Sequence, residues 1–210
     1  MILDGARRMT DWILDLCSGL GGASEAFAND PHWTVVRIEN NPILADVEHT
    51  LMADVLEWLD WLPELISEYG RPTVIWASPP CLEFSQAYSA PGPRAQRAGV
   101  AFEPDMSIVE ACVDIINFAK PRFHLIENVA GASPWFLPEL GCWKQHIGPF
   151  FLWGAFPMLD ARGFVHKAGK TQDWNIGDPL RANKRALIPL EISQAFLDAI
   201  CSQSKLSDWI

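Results

Sequence analysis

Four short apolar runs, each followed by a turn signal or a helical pattern, restrict this 210-residue chain to few folds. The runs are Trp12 to Cys17, Trp33 to Ile38, Thr73 to Ala77 and Phe123 to Ile126. A strand covered on both faces reads as a near-continuous apolar run rather than an alternating one. Between the runs, helical character is expected around Ala23 to Ala28, after Pro42, over residues 55–69 with a break near Pro63, and from Asp105 to Lys120. Positions 108, 109, 112, 115, 116 and 119 of the last segment form one apolar stripe at helical spacing. This β-α-β-α order predicts an α/β fold: a mostly parallel sheet with helices on both faces and ligands at the carboxyl ends of the strands.

Candidate chemistry falls at those ends. Asp15-Leu-Cys-Ser-Gly-Leu-Gly-Gly22 follows the first run, and its glycines allow a tight turn and close approach of a ligand. Glu39 closes the second run, where an acid can accept from both hydroxyls of a ribose, and Asp54 follows Met52-Ala53, where it can receive an adenine amino group. One glycine turn and two acids suit an adenosyl ligand, and the missing Lys-Ser/Thr after the glycines argues against a phosphate-binding nucleotide hydrolase. After the third run comes Ser78-Pro79-Pro80-Cys81. Proline fixes its own φ and restricts the preceding residue, so the approach to Cys81 is stiff and extended. That reads as a nucleophile on a rigid mount, or as a strand-ending turn beside a packed thiol. The fourth run ends in Ile126-Glu127-Asn128-Val129, whose carboxylate by itself reads as a solvated turn residue.

Composition narrows the partners. With 49% hydrophobic and 20% charged residues the chain can bury a substantial core. No apolar run is long enough to span a bilayer and the N-terminus lacks a signal-peptide core, so a cytoplasmic location and no membrane partner are expected. The five cysteines are widely spaced without a Cys-x-x-Cys pair, which predicts reduced thiols and no metal. Net charge is −10, unevenly spread: residues 1–140 hold 8 Lys and Arg against 20 acids, whereas residues 141–185 hold 7 against 3. A basic segment on an acidic body reads as a nucleic-acid face or as a solvated loop region. The expected organisation is a cofactor-binding and catalytic domain (1–140), a small basic substrate-recognition region (141–185) and a C-terminal helix returning to the first domain (186–210).

Taken in order, Asp15-Leu-Cys-Ser-Gly-Leu-Gly-Gly, Pro79-Pro80-Cys81-Leu-Glu-Phe-Ser85 and Glu127-Asn128-Val129 resemble the ordered motifs of DNA (cytosine-5) methyltransferases. The resemblance covers roughly residues 12–131, and more weakly 183–200 through Asn183 and Ile188-Pro189. It implies an S-adenosylmethionine-dependent, Rossmann-like methyltransferase fold and transfer of a methyl group to carbon 5 of a cytosine flipped out of DNA. In this family the cysteine, here Cys81, attacks the base and the glutamate, here Glu127, grips it. The same resemblance implies cofactor contacts from Asp15, Cys17, Ser18, Gly19, Gly21, Gly22, Glu39, Asn40, Asp54, Val55 and Pro79. Substrate contacts are expected from Pro80, Ser85, Gln86, Arg94, Arg97, Asn128, Val129 and Arg162, with Leu82 to Pro104 as a loop closing over the base.

Several positions depart from the family pattern. Cys17 stands where an aromatic residue is usual, Leu82 replaces a glutamine, and no Gln-x-Arg-x-Arg motif is present. Gln145 lies in a comparable place, with Arg162 or Arg185 as substitute arginines. The target-recognition region is small, which leaves room for a protein partner that supplies recognition. The rival readings are the same chemistry on RNA cytosine and a catalytically silent S-adenosylmethionine-binding module serving such a partner. Of the ten tryptophans, Trp58, Trp61, Trp76, Trp143 and Trp153 are expected in the core, whereas Trp135 and Trp174 are placed on the substrate side as base-stacking residues. His124 and His146 are read as structural.

Overall fold

In the computed structural model, residues 11–165 and 177–207 are described, with side chains to residue 203. A seven-stranded sheet runs through the molecule in the order β3-β2-β1-β4-β5-β7-β6. Strands β1 (Asp11–Leu16), β2 (Trp33–Glu39), β3 (Thr50–Met52), β4 (Val74–Ala77) and β5 (Phe123–Asn128) are parallel. Strands β6 (Gln145–Ile147) and β7 (Phe150–Trp153) form an antiparallel hairpin on the β5 side. The expected mostly parallel α/β sheet is therefore observed, and its strand order reverses between β1 and β4. In open α/β sheets such a reversal makes a ligand crevice beyond the carboxyl ends of the two strands.

Alternation along each strand divides the core into two layers. Trp12, Leu14 and Leu16 of β1 face one layer with Ile75 and Ala77 of β4, covered by α2 (Trp58–Tyr69), α4 (Ser107–Ala119) and α5 (Ser133–Leu140). Ile13, Val35, Val74, Trp76 and Leu125 face the other, covered by α1 (Glu25–Ala28) and α7 (Leu190–Ser207). The predicted stripe on α4 is its buried face, with Val109, Cys112, Ile115, Ile116 and Ala119 inside.

Local expectations fail where tertiary context outweighs propensity. No break occurs at Pro63, which lies inside α2 on its exposed face, where water can serve the carbonyl that loses its N–H partner. The segment from Leu82 to Pro104 is not a continuous loop: Pro91 pre-sets the first turn of α3 (Pro91–Ala98), and Gly99 in the left-handed region ends it. Trp135 packs against the core instead of lining the substrate side. Trp143 is 41% exposed and meets Phe151 and His146 edge-on. Trp174 lies outside the described residues.

The chain's end closes on its beginning. The Ser193 hydroxyl donates to the Ala23 carbonyl (2.7 Å) and accepts from the Ala26 amide (3.1 Å), pinning α7 to the segment after the glycine turn. A Cβ on Gly22 would lie 2.3 Å from the Ile188 carbonyl oxygen and 2.6 Å from Leu187 Cδ1, so only glycine permits this approach. Gly22→Ala is expected to destabilise the fold by about 1–3 kcal/mol. Urea unfolding would test this, with Gly99→Ala as a comparison, because nothing lies near the Cβ added at Gly99 and only its positive φ opposes the change.

Candidate active site

The glycine turn begins where β1 ends. Cys17 leaves the strand with φ 55°, and Gly19 and Gly21 follow at 56° and 77°. The Gly21 amide donates to the Ser18 carbonyl (2.8 Å) and the Ser18 amide to the Ile38 carbonyl (3.1 Å), which fastens the turn to β2. Beneath it lies a buried polar group that the sequence does not announce. Asp15 Oδ2 accepts from Ser24 Oγ (2.6 Å), Ser24 Oγ accepts from Arg37 Nε (2.9 Å), and Arg37 Nη2 donates to the Gly21 carbonyl (3.0 Å). Burial raises the Asp15 carboxyl to about 6 against the Ser24 bond and the Arg37 charge. Asp15 is thus tied beneath the turn, while its Oδ1 and the Ser18 hydroxyl are buried without partners among the described residues.

Both expected acids reach this crevice. Glu39 accepts from the Gly19 amide through Oε2 (2.9 Å) and from the Asn40 and Asn41 amides through Oε1 (3.0 and 2.9 Å). Asp54 accepts from Asn40 Nδ2 (3.1 Å) and caps the Leu56 amide (2.9 Å). Val55, next to Asp54, is buried in the core layer. Cys17 hydrogen-bonds Cys112 of α4, and that bond, with burial, holds its thiol well above the usual range. The position that carries an aromatic ring in the resembling family is a thiol pair here.

The second half of the site is built on β4 and β5. The Ser78 amide donates to the Leu16 carbonyl (3.0 Å), carrying the β1–β4 ladder to the foot of the Pro-Pro segment. Asn128, expected to face substrate, is 1% exposed and donates from Nδ2 to the Pro79 carbonyl (3.0 Å), clamping the mount of Cys81. Its Oδ1 accepts from the Val129 amide (2.9 Å), and the partly buried Val129 packs against the core. Phe84, buried against Phe136, anchors the chain after Cys81, and Gly131 leaves room for the Phe84 carbonyl, 2.1 Å from where a Cβ would stand. Asn128→Ala would leave the Pro79 carbonyl without its buried donor, and a loss of about 1–3 kcal/mol is expected. Chemical denaturation would read it, with faster proteolysis after Cys81 as a second sign.

Cys81 follows β4, and Glu127 lies at the carboxyl end of β5, its neighbour in the sheet. Burial pushes the Cys81 thiol up, an ionised Glu127 adds to this, and a backbone hydrogen bond at Cys81, followed by Arg185, opposes it. Burial also raises Glu127 to about 8, although Ser78 bonds its carboxyl. The Ser78 hydroxyl in turn accepts from Trp76 Nε1 (2.9 Å), so a core tryptophan orients the serine that holds the acid. For this half-buried residue the shift favours the protonated, hydrogen-bond-donating form toward neutral pH.

The remaining expected substrate residues are dispersed. Pro80 is exposed beside Cys81, the Ser85 hydroxyl accepts from the Ala87 amide (3.2 Å), and the Gln86 side chain lies against Gly131. Arg94 lines a shallow open pocket with Pro91, Ala95 and Ala98. Arg97 stacks on Tyr88, 3.7 Å from the ring centroid, and donates to its carbonyl (2.6 Å). Arg162 pairs with Asp160 at the surface. Gln145 is used structurally, exchanging two bonds with the Leu159 backbone (2.8 and 2.9 Å). Among the described residues, no cluster of three or more metal-ligating side chains occurs and no helix is long and apolar enough to cross a membrane.

A glycine turn and a thiol at the reversal of a mostly parallel sheet define a Rossmann-like fold of the methyltransferase type. The chain belongs to the C-5 cytosine-specific DNA methylase family, whose model matches residues 12–134. It is 29% identical over 140 residues to a "Probable DNA (cytosine-5)-methyltransferase" of frog virus 3 (isolate Goorha), covering 64% of this chain and 57% of that protein. The chain thus spans a little over half the length of that curated relative. Among solved structures it is similar to a candidate DNA modification methyltransferase encoded within an E. coli prophage, at 21% identity and TM-score 0.41, covering 58% of this chain and 33% of that one. It is also similar to the Entamoeba histolytica methyltransferase EhMeth, at 16% identity and TM-score 0.42, covering 58% and 39%.

Proposed function

We propose that the protein methylates carbon 5 of cytosine in DNA, with Cys81 as nucleophile, Glu127 as the group that grips the base, and S-adenosylmethionine as cofactor. The observation that carries this reading is the placement of Cys81 and Glu127 at the carboxyl ends of adjacent strands, next to the strand that leads into the glycine turn. Carbon 5 of cytosine is a weak nucleophile. Addition of the Cys81 thiolate at carbon 6 pushes electron density into the ring and makes carbon 5 enamine-like. A neutral Glu127 donates to the ring nitrogen and so takes up that density where it accumulates. Loss of the proton from carbon 5 then lets the Cys81 sulfur leave and restores the aromatic ring.

The cofactor reading is supported by the glycine turn, by Glu39 and Asp54 on its rim, and by the unpartnered Ser18 hydroxyl within it. S-adenosylmethionine supplies an electrophilic methyl group. Glu39 and Asp54 would hold its ribose and adenine, and Pro79 closes the crevice beside them. Asp15 supports this arrangement from below through Ser24 and Arg37. The Ser85–Gln86 segment and Arg94 of α3 would meet the nucleic acid, and the basic part of residues 141–185 would contribute target contacts.

Nucleoside mass spectrometry of DNA and RNA from cells expressing the chain tests the reading directly. Enrichment of 5-methylcytosine in DNA is the expected result. Enrichment in RNA alone reassigns the substrate, and cofactor binding without any modified nucleoside replaces the enzyme by a binding module.

A further inference from the structure

Arg37 breaks the apolar run from Trp33 to Ile38 on β2, inside the sheet between β1 and β3, and is only 5% exposed. Exposed arginines, such as Arg94 and Arg97 of α3 or Arg185 of α6 (Arg181–Ala186), keep their charged heads in water. A buried guanidinium gives that up and is tolerated where its donors find partners. All three nitrogens of Arg37 find them. Nε donates to Ser24 Oγ (2.9 Å), Nη2 to the Gly21 carbonyl (3.0 Å) and Nη1 to the Glu48 carbonyl (2.8 Å). The Gly21 bond holds the glycine turn, whose Gly19 amide binds Glu39. The Glu48 bond holds the start of the segment that runs through β3 to Asp54. One planar group thus joins the turn on one side of the crevice to the Asp54 rim on the other. The seating is close, since a Cβ on Gly21 would stand 2.6 and 2.7 Å from Arg37 Nε and Nη1.

Asp15 and Arg37 are direct partners in the β1–β2 register, so their side chains share a face of the sheet, and Ser24 stands between them. The Ser24 hydroxyl has two acceptors within reach, Asp15 Oδ2 at 2.6 Å and the Gly21 carbonyl at 3.4 Å. With Asp15 ionised, the hydroxyl donates to it and leaves Gly21 to Arg37. A proton on Asp15 Oδ2 is donated to Ser24 Oγ, which turns the hydroxyl toward Gly21, where it competes with Arg37 Nη2. The other charged and titratable groups around this pair are Glu39 of β2, the Cys17 thiol after β1, and His49 beside Glu48.

We propose that Arg37 is a positioning residue for cofactor binding: its guanidinium fixes the glycine turn against the Asp54 rim and keeps the turn in its binding form while Asp15 is ionised. The inference rests on the cofactor reading in the proposed function, and its test includes a measurement made without any ligand.

Two measurements test it: calorimetric binding of S-adenosylhomocysteine between about pH 5 and 7.5, and amide hydrogen exchange of the ligand-free protein. The amino and carboxyl groups of that ligand keep their charges over about pH 5–7, so a midpoint there belongs to the protein. Wild-type affinity is expected to fall as pH drops through about 6, the value to which burial raises the Asp15 carboxyl. Arg37→Met should weaken binding about thirtyfold at pH 7.5 and displace the midpoint to higher pH, since no cation then favours the carboxylate. Arg37→Lys keeps the charge but not the fork, so it holds the midpoint and recovers part of the affinity. His49→Gln coincides with wild type. In ligand-free Arg37→Met, exchange should quicken in residues 17–24 and 48–54 together, with β4 and β5 protected as in wild type. Should Arg37→Met not fold, the pair Asp15→Asn with Arg37→Met removes both buried charges, and it should lose the midpoint and the joint protection of the two segments. Unchanged affinity or an unmoved midpoint in Arg37→Met overturns the proposal, as does faster exchange spread evenly over the sheet, which marks general destabilisation. Faster exchange in the turn alone also overturns it, because the two rims are then not joined. A wild type that binds no ligand while both segments of the variant still loosen together counts instead against the cofactor reading.

Discussion

Cys81→Ser is expected to lower methyl transfer by about a thousandfold or more while leaving the fold and DNA binding intact. Serine is nearly isosteric with cysteine, and the backbone that holds residue 81 is fixed by the Asn128 clamp and the Phe84 anchor, neither of which uses the sulfur. What is lost is the nucleophile: a hydroxyl beside Glu127 does not ionise near neutral pH and cannot add to carbon 6. The comparison should be made by 5-methylcytosine formation on defined duplexes together with DNA retention in a gel-shift assay. Retained binding with abolished turnover supports nucleophilic catalysis, and unchanged turnover removes Cys81 from the mechanism.

Glu127→Gln carries the second large effect, with two signatures. Glutamine keeps an amide donor but also presents a carbonyl and cannot follow the charge that develops in the ring, so a loss of about a hundredfold to a thousandfold is expected. Wild-type activity should also fall as pH rises through about 8, where Glu127 ionises, and this limb should vanish from the residual activity of the variant. Stability gives an independent reading. The folded pKa of about 8 lies above the ordinary value of 4.5, so the folded state retains a proton that the unfolded chain releases. That contribution is fully present below about 4.5 and is lost as pH rises to about 8. Glu127→Gln should therefore match wild type near pH 4 and exceed it by about 2 kcal/mol at pH 8, a figure discounted for partial solvent access. Parallel stability curves at the two pH values would show that the carboxyl is not desolvated.

The parts of this protein that are legible in sequence are those written in local pattern. Continuous apolar runs mark the central strands because a parallel strand buried on both faces has no polar side to show. The stripe on α4 marks its buried face for the same kind of reason. The glycine turn, the acids at strand ends and the Pro-Pro-Cys mount are legible because each is a residue type placed at a turn. What escapes is set by distant contacts. Nothing near Asn128 tells that its amide serves Pro79, 49 residues away, and nothing near Cys17 tells that its partner is Cys112. Propensity makes Pro63 a helix break, but exposure lets α2 continue. Arg162 and Arg185 are indistinguishable as charges in a basic segment. Their difference lies in Asp160, two residues from the first, which pairs with it.

The hydroxyl of Ser193 that joins α7 to Ala23 and Ala26 also has a consequence for how the molecule is made. These bonds link positions 170 and 167 residues apart, so the crevice cannot be completed before α7 has been made. A nascent chain can pair β1, β2 and β4 while the shelter over the glycine turn is still inside the ribosome. Loop-closure entropy then places its docking late in folding. Until that moment the apolar surface of α1 waits uncovered, and the making of α7, rather than of the glycine turn or the Pro-Pro-Cys segment, sets the time at which the crevice becomes whole.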